Sequence, residues 1–416
     1  MYQRASSVRA TALAAAAVAL TLSAPVAVQA AGDTITLGAA VSLTGKYTTA
    51  GNHTKNGYEL AIKRINEKGG VTVGGKTYKL AIKYYDDEST PARGAQLAER
   101  LIQQDGIKFM LGPYSSGLTK AIAPVTEKYK IPMVEGNGAS RSLFNKGYKY
   151  LFAVLSTSEQ YLKEAINLAA QQAKKAGKDP SSVKVAVVVE NDPFSLDIRA
   201  GILEDAARYG MKVVIDDKFP KEVNDMSSSL TKVRALKPDV LVVSGHSKGA
   251  SLVTRQLAET RIDVPMLALT HCESAKVTDK AKFGDKAEYT LCATQWAPTM
   301  SYSDKWFGSA ADYAKTFKAA YDYTPPYQAA ESSAAVLVYA DALARAGALD
   351  TKKVRDALAA TDMQTFYGNI KFDATGKNIA KPMALRQIQG GEYKVVAPAK
   401  WAAAKLIFPR PKWSER

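Results

Sequence analysis

The chain alternates short apolar stretches with amphipathic ones, and this alternation restricts the fold more than any other feature of the sequence. Apolar runs at 35–41, 183–189 and 240–243 are typical of buried strands. Each run is followed by a polar loop and then by apolar residues at helical spacing, such as Leu60 and Ile65. Strands that alternate with helices form βαβ units and a parallel sheet. The sequence therefore predicts an α/β fold.

The alternating pattern runs through the chain twice. A first series ends in an apolar stretch at 150–154, and a second series begins with a predicted helix at 158–176. The last quarter is mostly helical and closes with a predicted hairpin, 383–389 with 392–396, across a Gly-Gly pair. A chain of 416 residues is long enough for two domains with their own cores. We therefore predict two successive α/β halves.

Two polar loops follow successive predicted strands in the first half, and they are the best candidates for a ligand site. Residues 112–117 place Ser115 and Ser116 directly before a predicted helix, and residues 135–140 end in Ser140. Both loops leave the carboxyl ends of strands, where ligands bind in open α/β sheets. The free N–H groups of a helix N-terminus suit a carboxylate or phosphate. Alone, the serine pair is more typical of a helix N-cap, but two such loops favour a small-anion site.

The first residues have the pattern of a secretory signal peptide. Arg4 and Arg9 precede an alanine-rich apolar stretch at 12–28, and small residues around Ala30 suit a cleavage site. No later stretch reaches about 18 consecutive apolar residues, the length of a membrane-spanning helix. We therefore expect a signal peptide at 1–30, cleavage near Ala30 and export to the periplasm.

The positive charge of the chain does not indicate a nucleic-acid partner. The net charge is +16 at pH 7, but the lysines are scattered along the chain and form no cluster. Export also argues against such a partner. We interpret the charge as solvated surface with a weak preference for anionic ligands.

The chain has two cysteines, Cys272 and Cys292. Both lie near predicted strand ends, and in an oxidising compartment they either form a disulfide or remain free thiols. Their spacing relative to the histidines does not match a zinc site, so we expect no metal and no cofactor.

One motif suggests an enzyme. Residues 245–249 read Gly-x-Ser-x-Gly between a predicted strand and a predicted helix, the pattern of a hydrolase nucleophile elbow. That arrangement needs an acid and then a histidine after Ser247, but His271 is the only histidine that follows, and Asp263 is the only aspartate between them. We therefore expect no enzymatic activity and interpret the loop as lining a cleft, with His246 or Ser247 facing the ligand.

Several motifs, taken in order, resemble one protein family. They are, besides the exported start, residues 41–45 (Val-Ser-Leu-Thr-Gly), 65–70 (Ile-Asn-Glu-Lys-Gly-Gly), 112–116 (Gly-Pro-Tyr-Ser-Ser), 138–140 (Gly-Ala-Ser), 339–342 (Tyr-Ala-Asp-Ala) and 368–376 (Gly-Asn-Ile-Lys-Phe-Asp-Ala-Thr-Gly). Their order and spacing are similar to those of the periplasmic binding proteins of branched-chain amino-acid (Leu/Ile/Val-binding) ABC importers. The resemblance covers nearly the whole chain after the signal peptide.

This resemblance implies a type I binding-protein fold, in which three crossover segments join two doubly wound parallel-sheet lobes and the ligand lies between them. The implied lobes are residues 31–153 with 296–372 and residues 154–295 with 373–416. Hinge motion closes such lobes around the ligand. The implied partners are the membrane subunits of an ABC permease, and we expect a monomer. A receptor ectodomain of the same fold is the less favoured alternative.

The resemblance also implies which residues meet the ligand. Its carboxylate is expected at the hydroxyls of Ser116 and Ser140, and the walls at Tyr114 and Phe194, although Phe194 fits the core of the second lobe equally well. The predicted ligand-binding residues are Tyr114, Ser115, Ser116, Gly138, Ala139, Ser140, Phe194, His246 and His271.

The chain departs from the family at one position that bears on the ligand. Amino-acid receptors of this family usually place an acid there to neutralise the ligand ammonium, whereas this chain has His271. Glu273 or Glu190 is a candidate substitute, and a turn residue away from the ligand is the other interpretation of His271. We expect a hydrophobic or branched-chain amino acid as ligand. The alternative is an aromatic or other organic acid without an amino group.

Overall fold

Two sheets organise the protein, seen here in a computed structural model that describes residues 33–416. The predicted signal peptide lies outside the described residues. The strands are β1 (Thr34–Val41), β2 (Val71–Val73), β3 (Lys76–Asp86), β4 (Met110–Leu111), β5 (Met133–Glu135), β6 (Leu151–Ala153), β7 (Lys184–Glu190), β8 (Lys212–Phe219), β9 (Val240–Ser244), β10 (Met266–Leu269), β11 (Leu291–Thr294), β12 (Ser303–Asp304), β13 (Gly308–Ser309), β14 (Asp362–Thr365), β15 (Gly368–Lys371), β16 (Ala384–Gln389) and β17 (Glu392–Ala397). The helices are α1 (Thr48–Glu67), α2 (Pro91–Gln103), α3 (Ser116–Lys128), α4 (Lys163–Lys175), α5 (Pro193–Arg208), α6 (Ser227–Leu236), α7 (His246–Glu259), α8 (Lys280–Phe283), α9 (Ala310–Tyr321), α10 (Tyr327–Ala346) and α11 (Thr351–Ala359).

The two sheets share one strand topology. The first has the order β2-β3-β1-β4-β5-β6 and the second the order β17-β16-β11-β10-β9-β7-β8. The strands β3-β1-β4-β5-β6 are parallel, and so are β8-β7-β9-β10-β11. In both series the first strand lies between the second and the third, which is the doubly wound arrangement with its switch point beside β1 or β7. The predicted α/β fold with two doubly wound lobes is confirmed.

The position of the central strands in the sheets explains their continuous apolar sequences. In β9 every residue is buried, and in β7 every residue after Lys184 is buried. Parallel strands covered by helices on both faces read as continuous apolar runs, because neither face meets water. Strand β8 lies at the edge of its sheet, and only Ile215 and Phe219 of its residues are buried. The valine-rich stretches therefore mark the sheet centres.

The chain passes between the sheets three times: after β6, after β11, and between β15 and β16. Helix α10 returns to the first sheet, where the Tyr339 hydroxyl donates to the carbonyls of Met110 and Pro132 at 2.8 and 2.5 Å. The exact limits of the two lobes stay a prediction.

Three buried side chains connect the crossing segments. The Ser156 hydroxyl donates to the carbonyl of Lys381 at 2.6 Å, and the Gln295 amide donates to the carbonyl of Ser156 at 2.9 Å. The Lys381 ammonium donates to the carbonyl of Gln295 at 2.5 Å. One residue from each crossing thus takes part in a single buried hydrogen-bond cluster, which we call the crossing cluster.

Two local predictions compare directly with the structure. The hairpin is confirmed, because β16 and β17 pair antiparallel. The continuous helix at 158–176 is wrong: Ser158–Gln160 form a 3₁₀ turn, and α4 begins only at Lys163. The Ser158 N–H donates to the carbonyl of Ala139 at 2.7 Å, which holds this turn against the first sheet's second loop. Among residues 33–416, no helix combines the length and apolar character that a membrane crossing requires.

We predict that Gly57→Ala destabilises the protein, because α1 and α10 approach most closely there. A Cβ at Gly57 would lie 2.3 Å from the carbonyl oxygen of Ala329 and 2.8 Å from the Ser332 Cβ. Such overpacking typically lowers the free energy of unfolding by about 1–3 kcal/mol. Urea denaturation measures it. The control is Gly117→Ala in α3, where the nearest atom is 3.9 Å from the added Cβ. Equal stability of the two variants would contradict close α1–α10 packing.

Candidate functional site

A cavity lies between the two sheets, at the carboxyl ends of their parallel strands. Its lining residues are Tyr114, Ser115, Ser116, Asn137, Tyr161, Phe194, His246, His271, Tyr327, Gln328 and Glu331. They come from the segments after β4, β5, β6, β7, β9 and β10 and from the start of α10. This is the edge at which doubly wound sheets bind ligands.

The structure brings six of the nine predicted site residues into this lining: Tyr114, Ser115, Ser116, Phe194, His246 and His271. Sequence reasoning missed Asn137, Tyr161, Tyr327, Gln328 and Glu331. For Glu331 a signal existed, because it is a single carboxylate in the otherwise uncharged first turns of α10.

The N-terminus of α3 forms one side of the cavity. Ser115 is the N-cap, with a left-handed φ of +82°, and its hydroxyl accepts from the Leu118 N–H at 3.4 Å. Ser116 is the first helical residue, and its hydroxyl accepts from the Ser140 N–H at 2.9 Å. The capping interpretation of Ser115 is therefore confirmed, while both serines also line the cavity. Free N–H groups and the helix dipole favour a negative group here.

The second predicted loop lies behind Ser116, and its residues Gly138, Ala139 and Ser140 are not among the cavity-lining residues. The Gly138 N–H donates to the Glu135 carboxylate at 2.6 Å, which turns the loop backbone away from the cavity. Asn137 of the same loop does line the cavity.

The Ser140 side chain reaches the second sheet. Its hydroxyl donates to the Asp197 carboxylate on α5 and lies 2.7 Å from the Ser142 hydroxyl. Direct contact of this loop with a ligand therefore stays a prediction. In the structure the loop positions Ser116 through the Ser140 N–H.

Aromatic rings form the opposite wall. The centroid of the Phe194 ring lies 5.1 Å from that of His271 and 5.5 Å from that of His246, and the two imidazoles are 4.8 Å apart. Tyr161 contacts Phe194 edge to face at 5.1 Å and Tyr327 at 6.4 Å. Phe194 is both buried against neighbours and part of the lining, so its two interpretations hold together.

Asp192 and Tyr114 orient His246. Its Nε2 donates to the Asp192 carboxylate at 2.9 Å, and its Nδ1 lies 3.3 Å from the Tyr114 hydroxyl. Burial opposes ionisation of Asp192, but His246 and the Ser195 N–H outweigh it and hold the pKa of Asp192 at about 2. Asp192 is therefore a carboxylate at neutral pH.

His271 is uncharged in this environment. Burial lowers its pKa well below the usual range, and nearby His246 acts in the same direction. Its Nδ1 lies 3.1 Å from the Thr270 hydroxyl. A neutral imidazole in this position offers a hydrogen bond to a ligand but neither of the charges that an acid or a cationic histidine would supply.

The two acids expected to replace the missing acid are already paired. Glu273 forms a buried ion pair with Arg386 at 2.7 Å, and Glu190 pairs with Lys46 at 2.5 Å. Glu331, by contrast, lines the cavity and accepts a hydrogen bond from the Tyr367 hydroxyl at 3.1 Å. It is the carboxylate among the cavity-lining residues.

Polar contacts cross the cleft around the cavity. They join Lys46 to Glu190, Tyr114 to His246, Ser140 to Asp197, and Arg141 to Glu204. The Arg141–Glu204 pair is exposed, and such pairs contribute little. The buried contacts hold the two sheets' carboxyl edges together over the cavity.

The hydrogen bonds and ion pairs of the cleft match neither a metal site nor a hydrolase triad. Within residues 33–416, one group of potential ligands lies within 4.8 Å of one another: Glu190, Asp192 and His246. The Lys46 ammonium already contacts Glu190, and both His246 nitrogens have partners. The imidazole contacts of His246 and His271 go to residues other than Ser247.

The two cysteines form a disulfide and are not free thiols. Cys272 and Cys292 are bonded to each other, which links the loop after β10 to β11. His271 directly precedes Cys272 and has a left-handed φ of +59°. The bond therefore restrains the backbone beside a cavity-lining residue.

We predict that Cys272→Ser with Cys292→Ser lowers the free energy of unfolding by about 2–4 kcal/mol, the usual effect of removing a native disulfide. Urea denaturation measures the change. Reductant should produce a similar loss in the wild type and none in the double variant. A wild type that responds to reductant as the double variant does would contradict the bond.

Comparisons with known proteins place the chain in a family. The family model for periplasmic binding proteins matches residues 34–392. The Leu/Ile/Val-binding protein homolog 8 of Brucella abortus (strain 2308) is 26% identical over 392 residues, which cover 90% of this chain and 93% of that protein.

Two solved structures show the same fold. The branched-chain amino acid transporter substrate-binding protein LivJ of Streptococcus pneumoniae, in complex with isoleucine, has a TM-score of 0.75 at 23% identity, covering 88% of this chain and 100% of that one. A solute-binding protein of an ABC transporter from R. palustris, in complex with benzoate, has a TM-score of 0.73 at 21% identity, covering 90% and 98%.

Proposed function

The chain belongs to the periplasmic binding protein family, and from this membership we propose that it is the substrate-binding component of an ABC importer. It captures a small carboxylic acid with an apolar body in the cavity between its lobes. The observation that carries this proposal is the cavity itself, where the N-terminus of α3 faces a wall of aromatic rings.

The serine end of the cavity supports a carboxylate. Ser115, Ser116 and the first N–H groups of α3 supply donors and a positive dipole end. Neutral His271 and the Tyr114 hydroxyl add hydrogen-bonding groups without a competing anion. Gly138, Ala139 and Ser140 support this end from behind, through the Ser140 N–H bond to Ser116.

A hydrophobic or branched-chain amino acid is the first candidate ligand. Glu331 supports it, because a carboxylate in the lining offers an ionic partner for an ammonium group. The name of the Brucella relative and the isoleucine bound to LivJ agree with this assignment.

An aromatic acid without an amino group is the second candidate. Six rings line the cavity, from Tyr114, Tyr161, Phe194, His246, His271 and Tyr327. Aromatic pairs prefer edge-to-face and offset geometries, and such a set would accept a flat ring. The benzoate bound to the R. palustris protein agrees with this alternative.

We place the protein in the periplasm after removal of residues 1–30, as a monomer that delivers its ligand to ABC permease subunits. The lobes, residues 31–153 with 296–372 and 154–295 with 373–416, close around the ligand by rotation at the three crossings. Binding and release, with no chemical step, make up this function.

We predict that the purified mature protein is stabilised by one of the two ligand classes. A ligand that binds only the native state raises Tm, by an amount that grows with its concentration over Kd. Thermal-shift assays compare leucine, valine and phenylalanine with benzoate and 4-hydroxybenzoate. A rise with the amino acids alone favours the first candidate, and a rise with the benzoates alone favours the second. No rise with any carboxylic acid would reject the proposed cargo.

We predict that Ser116→Ala weakens binding of the ligand identified in that assay by about 10- to 100-fold, which is the effect of removing a hydrogen bond to a charged group. Isothermal titration calorimetry measures it. Ser182→Ala, an exposed serine outside the cavity, is the control and should bind as the wild type does. Unchanged affinity in Ser116→Ala would remove Ser116 from the site.

A further inference from the structure

Glu331 differs in its partners from three other acids near the cavity. It lies one turn into α10 and is 1% exposed. Asp192, Glu190 and Glu273 all contact a basic side chain, whereas Glu331 has a neutral hydrogen-bond donor, the Tyr367 hydroxyl. None of the ion pairs within residues 33–416 includes Glu331.

A positive charge lies nearby but not in contact. The Lys381 ammonium is 4.1 Å from the centre of the Tyr367 ring, and the hydroxyl of that ring donates to Glu331. Lys381 is itself 3% exposed and directs its ammonium at the carbonyl of Gln295. Glu331 thus has a buried cation at a distance, screened by a tyrosine ring, and one face open to the cavity.

This arrangement leaves the Glu331 carboxylate only partly stabilised. Burial raises its pKa well above the usual range, while Tyr367 and Lys381 act in the opposite direction, and Glu135 and Glu273 add to the rise. Burial also lowers the pKa of Lys381, to about 7. A cation that enters the cavity would supply the missing partner, because a buried charge needs a paired and hydrogen-bonded counterion.

We propose that Glu331 binds the ammonium group of the ligand and makes the site select amino acids over acids of the same shape that lack the amine. This inference rests on the proposed function and assigns the ligand within it. The acidic partner then comes from α10 of the first lobe, on a different element from the loop that carries His271.

The assignment explains the departure at position 271. The imidazole at position 271 lies beside that of His246, whose Nε2 donates to Asp192. With the acid on α10 instead, the proposed pose has the ligand carboxylate at the N-terminus of α3 and the ammonium, on the adjacent carbon, at Glu331, while His271 and Phe194 contact the apolar body. Both charged groups are then held by the first lobe.

The test removes a charge from the protein and, separately, a charge from the ligand. Wild type and Glu331→Gln are titrated calorimetrically with leucine and 4-methylpentanoate, and with phenylalanine and 3-phenylpropanoate, which differ only by the amine. We expect the wild type to prefer the amino acid at least tenfold. In Glu331→Gln the amino acid should lose about 10- to 100-fold in affinity, as expected for a bond to a charged group. The amine-free acid should change less than about threefold, so the preference collapses.

Two further variants keep the test decisive. Glu99→Gln removes an exposed carboxylate that pairs with Lys128 and should keep the wild-type preference. Tyr367→Phe keeps the ring but removes the hydrogen bond to Glu331, and should reduce the preference by a smaller factor. It also replaces Glu331→Gln if that variant fails to fold, as judged by circular dichroism and Tm.

The outcomes distinguish failure of the Glu331 assignment from failure of the proposed importer function. An undiminished amine preference in Glu331→Gln, or in Tyr367→Phe where only that variant folds, would overturn the Glu331 assignment and leave the importer function intact. A wild type that binds only amine-free acids would do the same and favour the aromatic-acid candidate. A wild type that binds none of the four compounds or the benzoates would reject the proposed function as well.

Discussion

The structure depends on one geometric constraint, the facing of two parallel-sheet edges. Because both sheets place their first strand beside the switch point, the loops after β1, β4 and β5 lie opposite those after β7, β9 and β10. Every predicted site residue in the cavity lining follows the carboxyl end of a strand. Binding residues from distant parts of the chain therefore meet without any long-range sequence signal of their own.

The cleft also shows how the protein pairs its buried acids. Glu190 pairs with Lys46, Glu273 pairs with Arg386, and Asp192 accepts a hydrogen bond from His246, so each of these acids already has a basic partner within the protein. Their side chains shape the cleft, but because they are already paired they are poorly suited to bind a charged group of a ligand. Glu331 differs because its donor, Tyr367, is neutral. The partners of each acid that lines or borders the cavity, rather than the number of such acids, are therefore the basis for proposing Glu331 as a recognition residue.

Strand and loop patterns in the sequence predicted the fold and the part of the site that follows strand ends, including Ser116, Phe194 and His246. These were accessible because local periodicity marks each strand. The placement of α10 at the cavity was not, although the acid at position 331 was a local signal, since Tyr327 and Glu331 reach the cavity through packing of a late helix on the first sheet. Ion-pair partners could not be predicted from the sequence either, because no local pattern shows that Glu273, two residues from His271, binds Arg386 some hundred positions later.

The crossing cluster has a mechanical consequence. Gln295, Ser156 and Lys381 bind one another across all three connections, inside the protein and shielded from water. In the proposed importer, rotation of one lobe against the other would bend all three connections at this cluster. The Tyr367 hydroxyl, which donates to Glu331, also lies 3.2 Å from the Gln295 amide oxygen, so the cluster contacts the wall of the cavity. A ligand bound at Glu331 would therefore act on the connections through one tyrosine, and the permease would meet the result as a change in the angle between the lobes.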